Sequence, residues 1–259
     1  MLTNRLWPML RAARRARHTR GLGTERDRST DRQYADSRLA ALYDAQYPPA
    51  ERDDLAFYLP LVMSARAVLD VGCGTGALLR LAREAGHRGR LVGVDPAPGM
   101  LEVARARRDV EWVLAEVASV AFDREFDLAV MTGHAFQVLV TDDEIRRALA
   151  AIRNALTDGG RFAFETRNPL VRRWEEWTPE HPQDFVDLGG TAVRWHAEVE
   201  TPVTGDVVRF ASTYTSPAWQ APERSESTLR FLTAEKLAAH LTEAGLATEQ
   251  QFGDWTADP

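Results

Sequence analysis

The residues best suited to chemistry in this 259-residue chain are Asp70-Val71-Gly72-Cys73-Gly74-Thr75-Gly76 and a single carboxylate downstream, Asp95. Glycine reaches positive φ without a Cβ penalty and leaves backbone N–H groups open to a ligand at the start of a helix. A carboxylate about 20 residues beyond such a loop, at the end of the next strand, can accept both hydroxyls of a ribose. The pattern therefore predicts a nucleoside-bearing ligand. A Gly-Lys-Ser/Thr triplet is missing, which disfavours a nucleoside triphosphate. The Gly72-x-Gly74-x-Gly76 spacing is tighter than the dinucleotide G-x-G-x-x-G, so NAD remains the alternative. His134 is the histidine expected in a loop on the same side. An imidazole pKa near 6.5 suits a general base, and a loop histidine satisfied by backbone is the competing reading. Cys73, the single cysteine, reads as a small loop filler, and no disulfide or metal cluster can be built from it.

These groups need strands that end beside one another. Ala67 to Val71, Leu91 to Val94, Trp112 to Leu114 and Phe126 to Met131 are short apolar runs, and Ala77 to Ala85 and Met100 to Arg108 between them carry helical spacing. The alternation predicts an α/β, Rossmann-like, doubly wound and mostly parallel sheet. Ser37 to Tyr47 and Asp53 to Met63 read as two helices ahead of it. Thr141-Asp-Asp-Glu144 is a capping box for a helix that Gly159 and Gly160 close, and Arg161 to Thr166 is the fifth strand. From Arg167 to about Arg230 the helical period vanishes. Val193 to Val199 and Val207 to Tyr214 read there as strands joined near Gly205, an inserted antiparallel β layer after the fifth strand. Trp174, Trp177 and Trp195 either line an acceptor pocket or form that layer's own small core. Thr233 caps a last helix, Ala234 to Ala244, before a strand over Leu246 to Phe252. The organisation expected is an arm (1–32), a cofactor-binding core (33–166), an inserted lid or acceptor region (167–230) and a completing helix and strand (231–259).

Val68-Leu-Asp-Val-Gly-Cys-Gly-Thr-Gly76 followed by Val92-Gly-Val-Asp-Pro96 resembles motifs I and II of class I S-adenosylmethionine-dependent methyltransferases. Thr132-Gly-His-Ala-Phe-Gln137 and Asp158-Gly-Gly-Arg-Phe-Ala-Phe-Glu-Thr-Arg167 resemble the fourth and fifth strands of the small-molecule branch, as do Tyr43 to Tyr47 and Phe231 to Trp255. The resemblance implies S-adenosyl-L-methionine as cofactor. Gly72, Gly74 and Gly76 would then face its methionine part, Asp95 its ribose, and Glu116 and Val117 its adenine, with Thr132, Gly133 and His134 along the methionine side. Asp70, Cys73, Thr75, Pro96 and Met100 would complete its surroundings. Tyr43 and Tyr47 would either close over it or pack the entry helix. His134 is the catalytic candidate. Members of the branch add a final antiparallel strand after the segment matching Gly253-Asp-Trp255, whereas this sequence stops at Pro259, so that edge is expected to be truncated or built differently.

The net charge of -6 divides unevenly. Residues 1–32 hold nine arginines against Glu25, Asp27 and Asp31, about +6, which leaves about -12 on the rest. An acidic body disfavours nucleic acid as a partner and favours a small-molecule acceptor. No apolar run approaches the roughly 18 residues of a membrane span, and the reading is of a cytoplasmic enzyme. The arm lacks a periodic apolar face and reads as disordered. The rival functions are an RNA methyltransferase that uses the arm on phosphates, and an inactive regulatory subunit that binds cofactor without turnover. An Asn/Asp-Pro-Pro-aromatic motif for planar amines is replaced here by Thr132-Gly-His-Ala.

Overall fold

The computed structural model describes residues 9–12 and 30–255. Strand β1 (Met9–Ala12) precedes helices α1 (Arg32–Ala35), α2 (Ser37–Ala40), α3 (Tyr43–Gln46) and α4 (Asp53–Ser64). Strands and helices then alternate: β2 (Ala67–Val71), α5 (Ala77–Glu84), β3 (Arg90–Asp95), α6 (Pro98–Ala104), β4 (Glu111–Leu114), β5 (Phe126–Met131), α7 (Asp142–Ala155) and β6 (Leu156–Phe164). Four further strands follow, β7 (Gln183–Val186), β8 (Ala192–Val199), β9 (Val207–Thr215) and β10 (Glu223–Arg230), and then α8 (Ala234–Glu243) and β11 (Leu246–Gln250).

Strands β4, β3, β2, β5 and β6 lie side by side and parallel, the Rossmann-like arrangement expected, and the four-stranded antiparallel sheet β10-β9-β8-β7 follows the fifth of them. Side chains alternate across a strand, so both faces of the parallel sheet must be apolar. Leu69, Val71, Ala129 and Met131 meet Ile145, Leu149 and Ile152 of α7 and Leu237 of α8 on one face. Val68, Leu128 and Val130 meet Leu55 and Val62 of α4 and Leu78 and Leu79 of α5 on the other. The α7 stripe works because Thr141 and Glu144 close their capping box, satisfying backbone donors at a gain of about 1 kcal/mol.

Three boundaries differ from the sequence expectation. The helix expected over Ser37 to Tyr47 breaks into α2 and α3, joined by i→i+3 bonds from Leu42 N to Leu39 O and Ala45 N to Leu42 O. Helix α7 ends at Ala155 and β6 begins at Leu156, with Gly159 at φ +76 inside an extended segment in place of a helix stop. The arm is expected to lack structure, yet Met9–Ala12 pairs antiparallel with both β6 and β11. A strand that inserts between two others needs only its backbone N–H and C=O groups, so the four residues Met-Leu-Arg-Ala can supply it without a longer apolar rhythm. This antiparallel strand lies between β6 and the edge strand β11, so that side of the sheet is built differently from the family pattern, as expected. The rest of the arm through residue 29 lies outside the described residues, as do residues 256–259.

Candidate active site

Strands β2, β3, β5 and β6 end on one side of the sheet, where the strand order reverses about β2, and a cavity of about 600 Å³ opens there. Ligands of doubly wound sheets bind at such a switch point. The glycine loop is held by backbone bonds from Gly72 N and Cys73 N to Val94 O, at 2.8 and 3.2 Å. Asp95 fastens it further. Its Oδ2 accepts Gly74 N and its Oδ1 accepts Ala97 N, each at 2.8 Å. Burial raises the Asp95 pKa, and these two N–H groups oppose the rise. Asp70, 1% exposed, lies behind the loop with Oδ1 unpartnered, and burial together with the nearby Asp95 holds its pKa well above the usual range.

The three glycines do different work. At Gly74, φ +55, a Cβ would meet nothing within 4 Å, so the loop is open towards the cavity there. At Gly72, φ +68, it would stand 2.9 Å from the Ala135 Cβ. At Gly76, φ +74, it would run into the Trp112 ring at 2.3 Å. The same indole lies against Gly93, and its Nε1 donates to Arg107 O at 2.8 Å. Gly76 therefore serves helix–strand packing, and it is outside the cavity lining.

The loop is tied to the entry helices through α3. Asp44 accepts the Thr75 hydroxyl at 2.6 Å and Arg80 Nη2 at 2.9 Å. Tyr43 and Tyr47 of the same segment lie with ring centres 5.2 Å apart, tilted by 53°, and line the cavity. Beyond β5, Gly133 and His134 both sit at positive φ, +64 and +61. The His134 N–H donates to Glu165 Oε1 at 2.7 Å, and the Tyr58 hydroxyl donates to Glu165 Oε2 at 2.7 Å. Burial pushes Glu165 up to about 7 despite both bonds. Burial, with Arg167 and Arg52 adding, holds the His134 imidazole well below its ordinary pKa, so it is neutral at pH 7. The opposite wall is the second sheet, where alternation points Trp195 and Ala197 of β8 and Phe210, Ser212 and Tyr214 of β9 into the cavity.

A model described as a methyltransferase domain matches residues 68–160. The 2-phytyl-1,4-naphtoquinone methyltransferase of Thermosynechococcus vestitus is 32% identical over 166 residues, which are 58% of this chain and 70% of that protein. The chain belongs to the class I S-adenosylmethionine-dependent methyltransferases. The methyltransferase is also 32% identical over 139 residues to an aklanonic acid methyltransferase of Streptomyces, spanning 60% of it. Over 110 residues it is 36% identical to the cypemycin N-terminal methyltransferase of a Streptomyces species, spanning only 44% of that relative. In fold it matches the CcbJ methyltransferase of Streptomyces caelestis at a TM-score of 0.69, with 20% identity over 87% of this chain and 92% of that one. DesVI of Streptomyces venezuelae follows at 0.65, with 22% identity over 84% and 94%.

In this methyltransferase the cavity brings together every cofactor-binding or catalytic candidate read from sequence except Gly76: Asp70, Gly72, Cys73, Gly74, Thr75, Asp95, Pro96, Met100, Glu116, Val117, Thr132, Gly133, His134, Tyr43 and Tyr47. Cys73 packs with Leu101 and Ala104, and burial pushes its thiol up, away from a nucleophile's range. The tryptophans divide. Trp177 and Trp195 line the cavity, while Trp174 packs with Val208 and Phe231 in the inserted layer's own core. Sequence reading passed over Arg52, Glu165 and Arg167. Arg52 forms a bidentate pair with Asp54 beside Gly133. The available signal was position: Glu165 and Arg167 follow the carboxyl end of a parallel strand, where such sheets keep their sites.

Proposed function

We propose that the protein transfers the methyl group of S-adenosylmethionine to a nitrogen or oxygen atom of a small-molecule acceptor. One observation carries the reading: a single cavity joins the glycine loop and Asp95 on one side to an aromatic wall of the second sheet on the other. Relatives named for a naphtoquinone and for aklanonic acid support a small acceptor, as does a sugar N-methyltransferase of Streptoalloteichus that shares the fold at a TM-score of 0.63.

The residues present fit the cofactor. Asp70 offers an unpartnered buried carboxylate oxygen for an ammonium, Gly74 leaves backbone room that a Cβ would fill, and Asp95 keeps lone pairs free for ribose hydroxyls. Glu116, Val117 and Met100 would border the adenine, and Tyr43 and Tyr47 would cover the methionine end. When bound, S-adenosylmethionine supplies an already activated methyl on a sulfonium. What remains for the chain is to hold the acceptor in line and exclude water, effects worth up to about 7–11 kcal/mol in well-oriented systems. His134, neutral at pH 7 and flanked by the cavity, would take the proton that an ammonium or hydroxyl acceptor must lose.

The test is formation of S-adenosylhomocysteine from labelled S-adenosylmethionine, with parallel pools of small phenols, amines and acids and of bulk RNA. Turnover is expected with a small-molecule pool. Cofactor binding without turnover in any pool would favour a regulatory role, and turnover confined to RNA would reverse the acceptor class.

A further inference from the structure

The cavity wall carries a cation that, among the described residues, has no carboxylate in ion-pair contact. Arg167 follows β6 and lines the cavity beside Trp177. Its Nη1 donates to the Gln137 amide oxygen at 2.8 Å, and its guanidinium lies 5.4 Å from the centre of the Trp177 ring. Among the described residues it makes no ion pair within 4.0 Å, whereas nearby arginines are matched: Arg52 with Asp54, Arg80 with Asp44 and Arg147 with Asp143. Glu165 stands two residues away with both carboxylate oxygens already taken by Tyr58 and His134. The other groups that act on Arg167 are the phenols Tyr34, Tyr43 and Tyr47. Gln137, fully buried, fixes the fork without neutralising it.

A guanidinium in a protein stays charged, and Arg167 is half-buried, so leaving it without a counter-charge has a cost. The cost is removed when an occupant brings the anion, and the planar fork suits a carboxylate held by two parallel N–H···O bonds. We propose that Arg167 anchors the acceptor by a carboxylate, so that the substrate is a small acid whose apolar body lies against Trp177, Trp195 and Phe210. A phosphate monoester carries roughly -1.5 to -2 at neutral pH and would exceed the single unmatched positive charge. The cofactor has a carboxylate of its own, for which Arg52 stands beside Gly133 in the segment expected along the methionine; Arg167, which acts on His134 as well, lies beside Trp177, and the titration below separates the two uses. The inference rests on the methyl-transfer reading above.

The experiment uses the full chain saturated with S-adenosylhomocysteine, titrated with benzoate, phenylacetate and their neutral amides, with tryptophan fluorescence as the readout. The acids are expected to bind at least tenfold more tightly than the amides. Arg167→Gln should remove that preference while S-adenosylhomocysteine affinity stays within twofold, which also reports an intact fold. Arg167→Lys, which keeps charge and loses the fork, should retain part of it. Equal binding of acids and amides, binding of none of the four, or an unchanged preference in Arg167→Gln overturns the anchor. So does a matching loss of S-adenosylhomocysteine affinity in that variant, which would give the guanidinium to the cofactor. A wild-type chain that does not bind S-adenosylhomocysteine overturns the methyl-transfer reading itself, and the anchor falls with it.

Discussion

Adding one methyl group at each of two glycines in the same loop should damage different properties. In Gly76→Ala the residue must hold φ +74 with a Cβ, costing about 1–2 kcal/mol. Its Cβ would also stand 2.3 Å from Trp112 Cη2, and that ring cannot retreat, because Gly93 lies against it and Arg107 O holds its Nε1. Overpacking of this kind costs about 1–3 kcal/mol, so the total is about 2–5 kcal/mol. That is a large part of a typical stability of about 5–15 kcal/mol. In Gly74→Ala the left-handed strain alone applies, about 1–2 kcal/mol, since nothing lies within 4 Å of the new Cβ. The methyl occupies cavity space that the ligand needs, and affinity for S-adenosylhomocysteine should fall at least tenfold. Urea unfolding and calorimetric titration separate the two effects. In a Trp112→Ala background the penalty of Gly76→Ala should shrink towards its backbone part, a coupling that a double-mutant cycle isolates. A Gly76→Ala chain as stable as wild type, or a Gly74→Ala chain that binds normally, would refute the division of labour.

Asp95→Asn replaces a carboxylate that accepts two backbone N–H groups with an amide that can accept one, so cofactor affinity should drop by about 1.5–3 kcal/mol and loop protection in hydrogen exchange should fall with it. Glu165 has a folded pKa of about 7 against 4.5 for the free side chain. A raised pKa gives stability that is complete below pH 4.5 and is lost as pH rises through 7, about 3 kcal/mol in all. Glu165→Gln should flatten this part of the stability curve, as read by denaturant midpoints between pH 4 and 8. His134→Asn, with a side chain that tolerates positive φ, should lower turnover while cofactor affinity changes less than twofold; equal losses in both would make His134 a structural residue. Deleting residues 1–29 removes β1 and leaves β6 and β11 unpaired along that edge, so the melting temperature should fall while the salt dependence of turnover stays flat.

The glycine loop, Asp95 and the strands that carry them were legible because buried parallel strands announce themselves as apolar runs, and a loop that must take positive φ announces itself as glycine. Strand β10 gave no such sign. Its inward positions are Ser225 and Ser227, which are buried and accept Gln33 N at 2.9 Å and the Gln33 amide at 3.1 Å, so hydrogen bonds replace apolar alternation. Strand β1 was hidden for a related reason, since its pairing runs through the backbone. The acceptor side was harder still. Arg167 matters through the partner it lacks, and no spacing along the chain records a missing partner. Gly76 is the converse case, a motif residue that packs against Trp112 and does not line the cavity.

The segment from Gln33 to Asp44 touches both halves of the site at once. Gln33 bonds to β10, Leu39 and Leu42 pack on Val193 and Tyr214 of the second sheet, Ala40 and Tyr43 pack on Ala97 and Met100, and Asp44 grips the glycine loop through Thr75. A ligand that orders this segment from either side spares the second ligand that entropic cost. The two affinities must then rise by the same factor, whichever molecule enters first, because coupling between binding sites is reciprocal. Titrating one ligand in the presence of the other is therefore expected to show positive cooperativity, carried by helices that belong to neither sheet.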